Sequence, residues 1–182
     1  MTKSSTAVDS VVTSPFLADP RVQRAIEMIW FEAAVLDRKD YTLWEELFTE
    51  DGYYIVPVDP ETEDFENSLN MIYDDARMRQ LRVQRMIQGY APSAVAAATT
   101  VRTVTRFEVL AVDGDEVVLR SAQIITAYKR HETRVLGADL THRIRLTPEP
   151  VEDSPAGGAR IVQKVCRLID SEDAVSAAGF LI

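Results

Sequence analysis

From Val101 to Asp170 the chain repeatedly alternates apolar and polar residues with a period of two, interrupted by turn signals, and this confines its second half to an antiparallel sheet. Val101, Thr103, Thr105, Phe107 and Val109 interleave with Arg102, Val104, Arg106 and Glu108. Asp113-Gly114 follows, a strong hairpin signal because glycine accepts the positive φ of a tight turn. Val117 to Lys129 reads as the return strand and is apolar on both faces. One row holds Val117, Leu119, Ser121, Ile125 and Ala127, and the other Val118, Ala122, Ile124 and Tyr128. Leu140, His142, Ile144 and Leu146 then alternate with Asp139, Thr141, Arg143 and Arg145. Pro148 to Gly158 is a loop, and Arg160 to Asp170 the last strand.

The first half has helical spacing instead. Asp19-Pro20 supplies an N-cap acceptor and a first-turn proline. Val22, Ile26, Ile29, Ala33 and Leu36 then recur on one face, with Trp30 and Phe31 widening the stripe. A short helix is expected over Thr42 to Phe48, a strand over Gly52 to Val58 and a strand-like piece over Leu69 to Tyr73. Asp74-Asp75 can cap a third helix, Ala76 to Gln88, stopped by Gly89. Met78, Leu81, Val83, Met86 and Ile87 spread around that helix, which predicts burial on more than one side.

Segregated helices followed by long strands define an α+β architecture. N-terminal helices folded onto a strongly curved, mostly antiparallel sheet would make a cone with one open end. Residues 1–18 are expected to be a flexible arm and 19–182 a single domain, which suits a chain of 182 residues with 46% hydrophobic and 27% charged residues.

The net charge of −9 disfavours a nucleic-acid partner. Asp59, Glu61, Glu63, Asp64 and Glu66 crowd one loop, expected to be solvated. No apolar run spans a bilayer, the first residues lack an apolar export core, and one cysteine excludes an internal disulfide, so a cytoplasmic location is expected.

Few residues offer chemistry. One cysteine and two histidines cannot supply the two Cys and two His of a Rieske cluster. His131 and His142, eleven apart, make a poor pair of iron ligands. No nucleophile-elbow, P-loop or dinucleotide fingerprint is present. His142 stands on the apolar row of its strand, either as a satisfied core histidine or as a general base inside the cone. Tyr53 and Tyr54 alternate, so one of them points inward. Arg79, Arg82 and Arg85 form a slanted row that is either solvated or paired with a partner's carboxylates.

At this point the residues carry a resemblance. Ala33-Ala34-Val35-Leu36-Asp37, Tyr41, Trp44, Leu47-Phe48-Thr49, Asp51, Tyr53-Tyr54 and Pro57 resemble the N-terminal signature of the β subunit of Rieske-type aromatic-ring-hydroxylating dioxygenases. Ile72-Tyr73-Asp74-Asp75 and Leu81-Arg82-Val83-Gln84-Arg85 resemble that family's acid-capped, arginine-bearing helix. Asp113-Gly114, Val117 to Ser121, Arg143-Ile144-Arg145, Val165 to Asp170 and the apolar ending Ala178 to Ile182 agree in order. Ala94 to Thr100 departs from it, standing where members carry arginine and histidine.

The resemblance implies an NTF2-like cone and a structural role without catalytic, cofactor-binding or metal-binding residues of its own. It implies a large α subunit bearing the Rieske 2Fe-2S cluster and mononuclear iron, a β trimer within an α3β3 hexamer, and NAD(P)H-dependent dihydroxylation of an aromatic ring. Arg79, Arg82, Arg85, Ile124, Phe180 and Leu181 are the expected subunit contacts. The alternative is a stand-alone NTF2-like isomerase or dehydratase using His142 with Tyr53 or Tyr54, and a third reading is a homo-oligomeric binding module. A filled cone argues for the structural subunit, an open polar pocket for the enzyme.

Overall fold

A computed structural model describes residues 18–88, 98–172 and 180–182. The expected arm and the Gly89 helix stop lie outside the described residues, apart from Ala18. The helix α1 spans Pro20–Asp37, opened by Asp19, whose carboxylate accepts from Arg21 N at 2.9 Å. Its buried face is Val22, Ala25, Met28, Ile29, Glu32, Ala33, Val35 and Leu36. Trp30 departs from the expected stripe: it is 53% exposed, with its ring edge-on to Phe107. The short helix α2, Tyr41–Glu46, is capped by Asp40, and strand β1, Phe48–Pro57, begins earlier than the sequence pattern indicates.

Strand β2 covers Asn70–Asp74 and helix α3 Ala76–Ile87. The two acids before α3 divide their labour. Asp75 caps the helix by accepting from Met78 N at 2.8 Å, while buried Asp74 receives both Arg82 Nε and Arg82 Nη2. Only Arg79 and Val83 of α3 are buried, so the expected burial on several sides does not occur. Met78 and Ile87 are exposed.

Strands β3 (Thr99–Asp113), β4 (Glu116–Lys129), β5 (Glu132–Arg145) and β6 (Arg160–Leu168) complete a six-stranded curved sheet in the order β2-β1-β6-β5-β4-β3. All pairings are antiparallel except β1 with β6. The helices α1 and α2 close the concave side, and their buried residues join those of the sheet in one core. The Asp113-Gly114 turn is as expected, with Gly114 at φ +56°.

The even alternation of β3 does not survive intact. Arg106 adopts φ +55° and the register with β4 slips between Thr105 and Glu108. Such a bulge reverses which face each parity occupies. Before it, Thr100, Arg102 and Val104 are buried and Val101, Thr103 and Thr105 exposed; after it, Phe107 and Val109 turn toward the core. Gly52 is required by close approach, since a Cβ there would sit 2.9 Å from the Ile161 carbonyl oxygen and 3.0 Å from that of Thr49. The acidic loop is exposed at Glu61, Glu63, Asp64 and Glu66, yet Arg167 ties it down through Pro60 O at 3.0 Å and Glu63 at 2.7 Å.

Candidate functional site

Inside the cone, one cross-strand row carries Tyr54 of β1, Lys164 of β6, His142 of β5 and Leu119 of β4 as successive neighbours. Above it, α1 presents Glu32 and α2 presents Trp44. Glu32 Oε1 accepts from Lys164 Nζ and from Trp44 Nε1, each at 2.8 Å, and Oε2 lies 3.2 Å from His142 Nε2. None of Glu32, His142, Lys164 and Tyr54 is more than 2% exposed.

Burial alone would raise the Glu32 carboxyl, but the Lys164 charge and the His142 hydrogen bond outweigh it and hold it well below the usual carboxylate range. Burial lowers His142, against the opposing pull of Glu32. At neutral pH the cluster is therefore a carboxylate–ammonium pair with a neutral imidazole donating Nε2–H. Both carboxylate oxygens are engaged, and these contacts tie α1 and α2 to β5 and β6.

Of the two tyrosines, Tyr54 is the inward one. Its hydroxyl engages Ile182, donating to the carbonyl oxygen and accepting from the backbone N, both at 3.1 Å, rather than His142. Tyr53 points outward, its ring 5.2 Å from that of Tyr73. Tyr54 and His142 thus share the buried interior, and Tyr53 is not part of it. His131 is exposed at the β4–β5 turn, while His142 lies eleven residues along extended chain, a separation of about 36 Å that rules out a shared metal ion within one chain. Among the described residues no group of three or more His, Cys, Asp or Glu could hold a metal.

The arginine row divides. Arg79 is buried: its guanidinium donates to the carbonyls of Gly52 and Thr49 and lies 4.3 Å from the centre of the Phe48 ring. A fully enclosed guanidinium bonded to its own β1 is unavailable to another subunit, which corrects the expectation for Arg79. Arg82 is half-buried on Asp74, and Arg85 is exposed. Leu181 is likewise turned inward and Phe180 half-buried. Ile124 is the expected contact residue with an open apolar side chain, at 51% exposure.

It is not isolated. In the outer ladder Ile124 faces Thr103 and Gly137, and Ile169 lies against Gly137. The adjoining rung is Val101, Thr126 and Val135. Val101, Val135 and Ile169 are 62%, 67% and 82% exposed. These side chains form an apolar patch on the outer face of β3–β5, beside the ion pairs of Asp139 with Arg106 and Arg120 and of Glu116 with Arg145. The sequence concealed the interior partners, since Glu32 and Lys164 are charged residues at apolar positions of their elements. That mismatch, opposite in sign, was the available signal.

A curved sheet closed by N-terminal helices around a filled interior is an NTF2-like cone. Similar folds occur in the beta subunit of benzoate 1,2-dioxygenase from Burkholderia mallei (17% identity, TM-score 0.67, 86% of this chain and 95% of that one) and in an NTF2-like protein with a cystatin-like fold from Novosphingobium aromaticivorans (17% identity, TM-score 0.56, 87% and 86%). Residues 31–171 match the ring hydroxylating beta subunit model, and the chain belongs to that family. It is also 29% identical over 144 residues to the small oxygenase component of the p-cumate 2,3-dioxygenase system of Pseudomonas putida, covering 78% of this chain and 76% of that protein. As a family member, the chain is a structural subunit of a ring-hydroxylating dioxygenase.

Proposed function

We propose that this chain is the scaffold on which a large, iron-bearing α subunit assembles, and that three copies join three large subunits as α3β3. The observation that carries this reading is the apolar patch of Val101, Ile124, Val135 and Ile169 on the outer sheet face, opposite a core that the chain's own helices already cover. A monomeric antiparallel sheet normally presents a polar outer face to water. A second copy of the chain is the proposed cover, with Ile124 central and Arg85 and Phe180 nearer the large subunit. The Rieske cluster and mononuclear iron belong to that large subunit in this reading, as does the choice of aromatic substrate. Residues 19–182 act as one domain, in the cytoplasm. The relative that forms part of a p-cumate 2,3-dioxygenase system supports an aromatic acid or hydrocarbon as the substrate class.

Light scattering of the purified chain tests it. The wild type is expected to be oligomeric at micromolar concentration, and Ile124→Glu to be a folded monomer by circular dichroism. A monodisperse wild-type monomer overturns the reading. An Ile124→Glu variant that unfolds instead would place that row in the core.

A further inference from the structure

The inner end of the cone is closed by residues far away in sequence. Leu181 and Ile182 are 3% and 6% exposed, and side chains rather than a neighbouring strand hold their backbone. Tyr54 Oη both donates to and accepts from Ile182. Arg102 donates to the Leu181 carbonyl and is itself fixed by Asp37 and Thr100. Cys166 Sγ lies 3.8 Å from Ile182 O, and the Phe180 ring centre 5.8 Å from the Arg102 guanidinium.

Backbone groups read by convergent side chains, beside apolar side chains sunk among core residues, is the way a pocket holds a ligand. With Leu181 and Ile182 in place Tyr54 and Arg102 are 0% and 8% exposed, and each turns a polar group to their backbone. Tyr54 also adjoins Lys164 in the sheet, with its ring centre 5.7 Å from Lys164 Nζ.

We propose that this end of the cone is a binding site for a short apolar peptide segment, with leucine- or isoleucine-sized side chains beside a backbone amide, and that Leu181–Ile182 are its resident ligand. The occupant is then exchangeable: an added peptide of the same chemistry enters when the chain's own residues are weakened.

Cys166 is the single cysteine of the chain, and burial pushes its thiol up to about 11, so its labelling by a maleimide reports whether the site is filled. The full chain carrying Leu181→Ser should label at least tenfold faster than wild type with unchanged circular dichroism. The hexapeptide Ala-Ala-Gly-Phe-Leu-Ile should restore slow labelling, whereas a scrambled hexapeptide should not. Labelling that Leu181→Ser leaves unchanged overturns the proposal, as does accelerated labelling that the peptide cannot slow. Should Leu181→Ser lose its structure, Tyr54→Phe removes only the hydroxyl. It should speed labelling several-fold, peptide-reversibly, and an unaltered rate overturns the proposal equally.

Discussion

The two faces of β4 and β5 each carry an exception to the apolar-in, polar-out pattern of a soluble sheet. Their inner face holds His142, Ser121 and Gln123, and across it Lys164, Glu32 and Arg102, all sealed from water. Their outer face exposes Ile124 and Val135, flanked by Val101 and Ile169. The inner charges of Glu32 and Lys164 are paired within the chain, while Ser121 Oγ and Gln123 Nε2 lack a hydrogen-bond partner among the described residues; the outer apolar side chains stand exposed. Stability of the fold and stability of an assembly are therefore lodged in different faces of the same strands, and substitutions should separate them.

The largest effect on the fold should come from Glu32→Ala. It strands Lys164 and His142 in a buried site and removes the Trp44 acceptor, and should cost about 3–5 kcal/mol in urea unfolding. Replacing Glu32 and Lys164 together with Leu and Met should recover most of that loss, because no lone charge remains. His142→Gln should cost about 1–3 kcal/mol, through altered packing and a weakened contact to Glu32. Complete loss of turnover in the assembled enzyme, with normal melting and assembly, would instead assign His142 a chemical role.

Acid should act through the same cluster. His142 is lowered from its ordinary value near 6.5, so its contribution is complete above that pH and is lost as pH falls through its folded value. Glu32 is lowered from 4.5, so its contribution is complete above that and is lost as pH falls toward its depressed value. Stability should hold above pH 6.5, decline below it and decline further below 4.5. His142→Gln should flatten the upper part of that profile. On the opposite face, Val135→Thr should change unfolding of the dissociated chain by no more than about 0.5 kcal/mol while weakening self-association. Smallest of all, a chelator should leave the melting temperature unchanged, and elemental analysis should find no stoichiometric iron or zinc in the isolated chain.

Much of the architecture was legible because local signals agreed. Asp19-Pro20, Asp75 and Asp113-Gly114 mark their boundaries by short-range chemistry; the two apolar rows of β4 left open which one is buried, and the structure buries the odd-numbered one. What was hidden depended on distance. The stretch from Glu132 to Gly137 lacks alternation because much of it is exposed, so the first half of β5 left no pattern. The bulge at Arg106 is fixed by pairing with β4, and a single periodic row could not announce it. Arg79 carried no sign of its internal acceptors, since both are backbone carbonyls on β1. Glu32, Trp44, His142 and Lys164 come from four elements, and of these only His142, with its neighbour Tyr54 in the same row, was read as a candidate for chemistry.

The long edge of the sheet has a further consequence. On β3 the Arg102 amide is taken by an Asp37 carboxylate oxygen at 2.9 Å, and the Val104 carbonyl accepts from Trp30 Nε1 at 3.3 Å. Helix α1 thus occupies bonding positions that a strand from another molecule would need. With sideways extension blocked there, the proposed contact between copies would use the face of the sheet rather than added rungs along that edge. Contact through a single bounded patch favours a particle of fixed size over a fibre that can lengthen without limit.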